Sequence, residues 1–265
     1  METKLLKEVL SVPTKTYRET MMINFLVNYL HEKKYEYYLD GMNNVYITKQ
    51  TDDVEYFPCV VAHTDTVHNI DTINIVEEQL PNEQGDIKLA LKAYNDDNNP
   101  TGIGGDDKCG VFACLTLLDQ LPNLKVALFV SEETGCHGSL NADDEFFENV
   151  GYVIEFDAPG NSMVTEYCWG VQLFDRDGDF FNVCDEVLTE GFNSRNDYQS
   201  HPYTDVMALK RKYNFSCINF AIGYYNYHTK HEYVVVEDVF NGIKTGKNMI
   251  EKLGNKLYPL KSILV

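Results

Sequence analysis

Apolar residues recur along the chain at two spacings, one typical of amphipathic helices and the other of buried strands. Between residues 16 and 34 they return every three or four positions, which predicts an outer helix that packs by one face. Its apolar stripe consists of Met21, Met22, Phe25, Leu26, Tyr29 and Leu30. Similar patterns predict helices in KCGVFACLTLLDQL (108–121) and DFFNVCDEVLTEGF (179–192).

Short apolar runs predict the strands. The run YFPCVVAHTD (56–65) is almost entirely apolar, so we expect a strand at the centre of a sheet. INIVEEQ (73–79) and DIKLALKAY (86–94) flank the turn-forming PNEQG and predict a hairpin. The other predicted strands are NVYITK (44–49), KVALFVSEE (125–133), GYVIEFDAPG (151–160) and FSCINFAIGYY (215–225). Because strands alternate with helices without linkers or repeats, the pattern favours one α/β domain over residues 1–265.

Side chains of metal-binding type follow four of these strands or strand–helix junctions. The segments are HTD (63–65), GGDDK (104–108), SEE (131–133) and FDAPG (156–160). In an open, largely parallel sheet, ligands gather outside the carboxyl ends of the strands, so one site could collect all four segments. The side chains expected to meet there are His63, Asp106, Asp107, Glu132, Glu133, Asp157 and a late histidine.

Imidazole and carboxylate groups without a thiolate suit zinc in a hydrolytic site, with manganese or cobalt as alternatives. Five or more such ligands imply two ions, about 3.5 Å apart, that share a carboxylate. Asp65 lies two residues after His63 on an extended chain, so its carboxylate faces the same side and can orient the imidazole. Each segment alone also fits a turn, a helix cap or a solvated strand end, but their joint occurrence favours the metal site.

Composition narrows the partners and the compartment. The 41 acidic and 22 basic residues give a net charge of −19, which would repel nucleic-acid backbones and anionic membrane surfaces. Seven cysteines lie without a C-x-x-C pair, so neither a disulfide framework nor a thiolate zinc finger is expected. The amino terminus lacks an apolar signal segment, and no apolar run suggests a membrane span. We therefore expect a cytoplasmic protein without nucleic-acid or membrane partners.

Six segments of sequence, spread over most of the chain, form a pattern more specific than any one of them. They are SVPTKTYRETMMINFLVNYL with DGMNNVYITK, then VVAHTDTV, GIGGDDKCGV, SEETGCHGS and GYYNYHTKHEYVVVEDV. In this pattern the chain resembles the co-catalytic zinc aminopeptidases, carboxypeptidases and deacylases, peptidase T and its relatives above all. The resemblance implies a three-layer α/β fold with a mixed, centrally parallel sheet flanked by helices, and amide hydrolysis at two zinc ions.

The resemblance also implies a role for each site residue. The implied metal ligands are His63 and Asp157 for one ion, Glu133 and His228 for the other, and Asp106 as the bridge. Glu132 would be the general base, and Asp65 would hold His63 in place. In the family the peptide bond after the bridging aspartate is cis, so a cis bond is expected between Asp106 and Asp107.

Other histidines compete with His228 for the role of late ligand. The family's ligand precedes a glutamate by four residues, which selects His228 because Glu232 follows it at that distance. This spacing leaves His231 as a surface or substrate-side residue. His137 in TGCHGS is a weaker alternative and is expected on the helix that follows the site.

The chain departs from peptidase T and its nearer relatives in one respect. Those proteins insert a lid or dimerisation domain between the strand-end aspartate and the final histidine, whereas about 70 residues separate Asp157 from His228 here. The remaining strands and helices need several of these residues, so we expect a single catalytic domain without a separate lid. The lid histidine that helps bind the substrate carbonyl would be missing, and its substitute stays open among His201, Tyr203, Tyr225 and Tyr227.

The favoured function is an exopeptidase, an aminopeptidase acting on short peptides. One alternative is a deacylase of N-acyl amino acids, or a carboxypeptidase, with the same metal centre. Another is a non-catalytic binding protein that keeps the fold. A free terminus of the substrate would need a charged anchor, for which Asp205, Arg195 and Arg211 are equal candidates. The sequence indicates no particular oligomeric state.

Overall fold

The structure is a computed structural model that describes residues 3–81, 85–191, 198–201 and 203–260, with the main chain alone at Tyr198 and His201. The described strands are β1 (Tyr37–Leu39), β2 (Val45–Lys49), β3 (Phe57–His63), β4 (Asn74–Pro81), β5 (Ile87–Tyr94), β6 (Pro100–Thr101), β7 (Leu124–Phe129), β8 (Val150–Ala158), β9 (Val164–Cys168), β10 (Val171–Gln172), β11 (Tyr198–His201), β12 (Ser216–Ala221), β13 (Tyr224–Tyr225) and β14 (Tyr233–Val235). The described helices are α1 (Lys4–Leu10), α2 (Thr20–Lys33), α3 (Gly105–Gln120), α4 (His137–Leu140), α5 (Asp144–Phe147), α6 (Asp179–Gly191), α7 (Asp205–Lys212) and α8 (Val236–Leu253).

The larger sheet has the strand order β1-β2-β7-β3-β8-β12-β9-β10, with β11 beside β9. Its central strands β7, β3, β8 and β12 run parallel to one another. Antiparallel pairs lie on both sides of this centre, β2 with β7 and β12 with β9. Every residue of β3 is buried, as its apolar run predicted. The mixed, centrally parallel sheet expected for the chain is thus confirmed.

Helices cover both faces of this sheet. A Cβ atom on Gly246 of α8 would lie 2.6 Å from the ring of Phe156 in β8, so this helix packs closely on one face. The preceding residue, Glu155, accepts the main-chain N–H of Val206 of α7 at 3.5 Å. Because neighbouring side chains of a strand point to opposite faces, α7 and α8 lie on opposite sides of the sheet. The expected α/β fold flanked by helices is therefore confirmed.

A smaller antiparallel sheet has the order β13-β14-β5-β4, with β6 beside β5. Its strands β4 and β5 pair along their whole length, which confirms the predicted hairpin arrangement. Strand β14 pairs with β5 and leads directly into α8. A Cβ atom on Gly105 would lie 2.7 Å from the Tyr224 Cβ and 2.8 Å from the Val234 Cγ2. The small sheet therefore places the β13–β14 connection, with His228, beside the start of α3.

Two further properties bear on the expectations from composition. All seven cysteines are buried and carry free thiols. In the part of the chain that the structure describes, no helix combines the length and the apolar character needed to cross a membrane.

Candidate metal centre and active site

The carboxyl ends of three neighbouring parallel strands build the floor of the site. His63 is the last residue of β3 and pairs in register with Phe129, the last residue of β7. Glu132 and Glu133 follow β7 in the loop, and Asp157 lies at the end of β8. The start of α3 adds Asp106, and the connection between β13 and β14 adds His228. The sequence-predicted strand ends therefore converge on one place.

Two histidines face opposite oxygens of the Asp106 carboxylate. The Nε2 atom of His63 lies 3.1 Å from Oδ1, and the Nε2 atom of His228 lies 3.2 Å from Oδ2. An Asp157 oxygen lies 3.8 Å from the His63 Nε2, and a Glu133 oxygen lies 3.0 Å from the His228 Nε2. Within each group of three residues, the potential ligand atoms all lie within 4.8 Å of one another. Asp106 belongs to both groups.

The centre has a strong excess of negative charge. Burial alone would lower the pKa of His63, but the carboxylates of Asp106, Asp157 and Asp65 raise it well above its usual value. Hydrogen bonds to Asp106 and Glu133 raise the pKa of His228 to about 10. Both imidazoles thus have an increased affinity for a positive charge, which a proton or a metal cation can supply.

The donor set fits a divalent metal ion. Each group offers one imidazole nitrogen and carboxylate oxygens without a thiolate, a combination that zinc accepts. The Oε1 atom of Glu133 is buried and has no hydrogen-bond partner in the described chain. Buried polar atoms are normally paired, so a carboxylate with one oxygen unpaired and the other 3.0 Å from the His228 Nε2 fits the role of a metal ligand.

Glu132 lies next to the two groups without belonging to either. Its Oε2 atom is 3.9 Å from the His63 Nε2, and its Oε1 atom accepts the Cys136 thiol at 3.4 Å. Burial raises the pKa of the Glu132 carboxyl well above its usual value. A carboxyl group with raised proton affinity, at the edge of a cavity, has the properties of a general acid or base.

Asp65 makes more contacts than the sequence predicted. The Nδ1 atom of His63 lies 3.0 Å from the main-chain oxygen of Asp65 and 3.4 Å from its carboxylate Oδ1. The same carboxylate accepts the main-chain N–H groups of Glu132 at 2.9 Å and Glu133 at 3.3 Å. It also accepts the Thr16 hydroxyl at 2.8 Å. Asp65 therefore orients the imidazole mainly through its main chain and holds the Glu132 loop through its side chain.

The chain between Gly104 and Asp107 departs from regular helix. The peptide bond between Asp106 and Asp107 is cis, which confirms the expectation. Gly104 has a φ of +67°, and both aspartates have non-helical angles, so regular helix begins after them. The Asp107 carboxylate accepts the main-chain N–H groups of His63 at 3.2 Å and Gly110 at 3.0 Å. Asp107 therefore connects the end of β3 to the start of α3 without lining the cavity.

An open cavity of about 360 Å³ lies over this centre, at the small end of the range for ligand pockets. It is lined by Asp106, Glu132, Glu133, Thr134, Gly135, Asp157, Tyr203, Tyr227 and His228. Tyr203 and Tyr227 thus border the site, whereas Tyr225 donates its hydroxyl to Asp238 at 2.6 Å and does not line the cavity. The side chain of His201 lies outside the described residues.

The proposed charged anchors and the alternative histidines lie elsewhere. Asp205 is fully buried and accepts the Ser139 hydroxyl at 2.5 Å, so it offers no exposed charge. Arg211 is exposed near the end of α7 and is not part of the cavity wall, and Arg195 lies outside the described residues. His137 begins α4, as expected, and His231 is exposed. Neither belongs to the two candidate ligand groups.

Three buried carboxylates near the site were not predicted as site residues: Glu19, Glu155 and Glu232. Glu19 accepts the main-chain N–H and the hydroxyl of Ser131, both at 3.1 Å. Glu155 accepts the Thr204 hydroxyl. Its position inside the apolar run GYVIEFDAPG was an available signal, because glutamate is rarely fully buried unless it is paired.

The chain matches no known protein-family profile and no curated protein at the level of sequence. Several solved structures are nevertheless similar to it. Aminopeptidase PepT from Bacillus cereus has a TM-score of 0.73 at 14% identity, over 93% of this chain and 96% of that one. A tripeptidase from Staphylococcus aureus has a TM-score of 0.72 at 14% identity, over 95% and 98% of the two chains. A TET aminopeptidase from a marine-sediment archaeon of the Thaumarchaeota has a TM-score of 0.70 at 12% identity, over 95% and 97%. At these identities the similarity establishes a shared fold.

Proposed function

We propose that the protein is a metallopeptidase with two metal ions, which removes the amino-terminal residue from short peptides. The observation that carries this proposal is the Asp106 carboxylate, with one oxygen facing His63 and the other facing His228. Carboxylates placed between two such groups are typical of two-metal hydrolytic sites. The shared fold with solved structures described as aminopeptidases and a tripeptidase supports the same reaction class.

In this proposal each group of side chains holds one ion. The ligands would be His63 and Asp157 for one ion, Glu133 and His228 for the other, and Asp106 for both. Zinc is the favoured metal, with manganese or cobalt as alternatives that accept the same nitrogen and oxygen donors. When bound, the two metal ions would supply Lewis-acid activation of a water molecule and of the scissile carbonyl.

The other site residues would move the proton and hold the geometry. The Glu132 carboxylate accepts the proton that the attacking water loses and returns it to the amine nitrogen as the C–N bond breaks. The hydroxyl group of the water ends on the new carboxylic acid, and its proton ends on the released amine. Asp65 supports this step because its carboxylate fixes the main chain of Glu132. Its main-chain oxygen meanwhile orients the His63 ring.

The side chains of the described cavity wall disfavour substrates that are held by a terminal carboxylate. The described lining residues include four carboxylates and neither lysine nor arginine. Two bound divalent ions would offset the charge of these carboxylates, so the described wall has no positively charged side chain left to anchor a terminal α-carboxylate. We therefore favour the aminopeptidase over a carboxypeptidase or an N-acyl-amino-acid deacylase.

We further propose that the chain acts as a catalytic domain without a separate lid. Between Asp157 and His228, the described residues form β9 to β13 with α6 and α7. Strands β9, β10, β11 and β12 all belong to the larger sheet. Little of the described chain in this interval is therefore left for an inserted domain.

The test combines metal analysis with hydrolysis assays on the purified protein, His63→Ala and Asp106→Asn. About two zinc equivalents are expected in the wild type by the proposed coordination, with less in both variants. The exposed residues His31 and Asp53 provide matched controls as His31→Ala and Asp53→Asn. Unblocked di- and tripeptides should be cleaved, and their N-acetylated forms should not.

Other outcomes would contradict the proposal in distinct ways. Absence of stoichiometric metal, even after reconstitution, would exclude the metallopeptidase. Full metal loading without turnover of any peptide would favour a binding protein. Cleavage of N-acetylated amino acids in preference to free peptides would support the deacylase.

A further inference from the structure

We propose that Glu232 is a positioning residue that fixes the spacing between Asp106 and His228 and thereby sets the affinity of the metal centre. This inference rests on the proposed function, because it concerns the same metal site. Glu232 belongs to the connection that carries His228, and it faces the segment that carries Asp106. Glu232 does not line the cavity over the centre and is not a member of either candidate ligand group.

The Glu232 carboxylate ties together three distant segments. Its Oε1 atom accepts the main-chain N–H of Asp106 at 3.1 Å, and its Oε2 atom accepts that of Gly104 at 2.8 Å. The Nε2 atom of His68, which follows the strand-end His63, lies 2.7 Å from the same Oε2. One side chain thus joins the main chain on both sides of Gly105 to the segment after β3.

The burial of this carboxylate makes these bonds important. Glu232 is 1% exposed, and a buried carboxylate is costly unless several donors compensate it. Two main-chain N–H groups and one imidazole provide this compensation. Hydrogen bonds to an ionised acceptor are about twice as strong as neutral ones. Loss of the charge would therefore weaken all three connections together.

The main chain at His228, in the same connection as Glu232, has a conformation that residues with a side chain adopt uncommonly, whereas Gly104 adopts its conformation freely. Gly104 has a φ of +67°, and His228 has a φ of +60°. A side-chain-bearing residue such as His228 adopts this region only when its surroundings determine it. The His228 side chain is 43% exposed, so burial alone does not hold it. The bonds of Glu232 connect its loop directly to the chain at Asp106.

The close approach of His68 also depends on a glycine. A Cβ atom on Gly102 would lie 1.9 Å from the His68 ring. The absence of a side chain at this position therefore leaves room for the ring beside Glu232. His68 is partly buried, with 12% of its side chain exposed.

The principal test compares Glu232→Gln with the wild type and with Glu237→Gln, a matched change at an exposed position of α8. In Glu232→Gln the negative charge is lost. The new amide NH₂ also replaces one of the two oxygens that now accept hydrogen bonds, so it faces a donor that it cannot bond. Metal-free proteins are titrated with zinc, and the absorption spectra of their cobalt forms are recorded. We expect a 10- to 100-fold loss of zinc affinity in Glu232→Gln, as for other residues that orient metal ligands. Its cobalt spectrum should change, while Glu237→Gln should match the wild type.

A second variant keeps the test decisive if Glu232→Gln does not fold. His68→Asn shortens the side chain so that it no longer reaches the carboxylate, but it leaves both main-chain bonds of Glu232 in place. We expect a smaller loss, several-fold in zinc affinity, with a cobalt spectrum changed in the same direction. Folding of each variant is checked by circular dichroism in the metal-free state.

Different results would contradict the positioning role of Glu232 and the proposed metallopeptidase function. A folded Glu232→Gln protein, or failing that a His68→Asn protein, with the zinc affinity and cobalt spectrum of the wild type would overturn the positioning role alone. A wild-type protein that binds no zinc would instead contradict the proposed function on which this role depends.

Discussion

The carboxylate of Asp65 accepts the main-chain N–H of Glu132 at 2.9 Å, across the ends of two adjacent strands. Since β3 and β7 are parallel neighbours in register, residues just beyond their ends lie side by side. The aspartate therefore links the segment of one proposed metal ligand, His63, to the segment of the proposed base. A substitution of Asp65 should therefore affect both the His63 segment and the Glu132 segment.

Asp65→Asn tests this link. The asparagine amide would place an NH₂ group near the N–H groups of Glu132 and Glu133, where the carboxylate now accepts both. We expect kcat/KM for a dipeptide to fall about 10- to 100-fold. The free energy of unfolding should fall by about 1–3 kcal/mol, because a buried donor loses its acceptor. Steady-state kinetics and urea unfolding measure the two effects, with Asp53→Asn as the exposed control. Unchanged kinetics would show that the link does not serve the reaction.

Glu132→Gln separates proton transfer from metal binding. Glutamine keeps the shape of the side chain but cannot accept the proton from water, so kcat should fall about 10²- to 10⁴-fold. The metal content should remain at the wild-type level, because Glu132 lies outside both ligand groups. Glu133→Gln is the adjacent comparison and should reduce the metal content itself. Equal loss of metal in both variants would assign Glu132 to the ligands and refute its role as base.

The local pattern of the sequence predicts the strands and the strand-end residues of the site, but not the contacts that hold them. His63, Glu132 and Asp157 could be predicted because the ends of parallel strands meet at one edge of a sheet. Glu232 could not, because its bonds to Gly104 and Asp106 join positions more than 120 residues apart in sequence. The His63 ring lies closer to the main-chain oxygen of Asp65 than to its carboxylate. This choice depends on side-chain rotamers, which packing determines.

The buried Asp205 predicts a pH dependence of stability in chelator-treated protein. Burial raises the pKa of its carboxyl to about 7, from a usual value of 3.8. The folded protein therefore keeps a proton that the unfolded chain releases between these two values. The associated stability is fully present below about pH 4 and is lost as the pH rises through about 7. Each pKa unit corresponds to about 1.4 kcal/mol, so the loss is on the order of 4 kcal/mol.

Asp205→Asn isolates this effect. The variant cannot release the proton, so its free energy of unfolding should fall less between pH 5 and pH 8 than that of the wild type. Glu155, whose pKa burial also raises, contributes a fall in the same direction that both proteins share. Urea unfolding at several pH values measures the difference, and Asp53→Asn serves as the control. Parallel pH profiles for Asp205→Asn and the wild type would refute the assignment to Asp205.

The two tyrosines at the cavity wall differ in their relation to the metal centre. Tyr227 packs edge-to-face on the His228 ring, with centroids 5.0 Å apart, and is 42% exposed. Tyr203 instead packs on Trp169, with centroids 4.6 Å apart. Because the Tyr227 ring lies beside a proposed ligand, we propose that Tyr227 rather than Tyr203 donates its hydroxyl to the substrate carbonyl. It would then fill the carbonyl-binding role that the sequence resemblance left open among His201, Tyr203, Tyr225 and Tyr227.

Tyr227→Phe tests this role, with Tyr203→Phe and Tyr225→Phe as matched controls that each remove one hydroxyl. If the Tyr227 hydroxyl stabilises the developing oxyanion, kcat should fall about 10²- to 10³-fold with little change in KM. Tyr203→Phe should leave kcat close to the wild-type value, as should Tyr225→Phe, whose hydroxyl contacts Asp238 away from the cavity. Tyr227→Ala should in addition raise KM about 2- to 10-fold for peptides with a bulky first residue, since an aromatic contact is worth about 0.5–1.5 kcal/mol. A normal kcat in Tyr227→Phe combined with a raised KM in Tyr227→Ala would restrict Tyr227 to binding the substrate side chain.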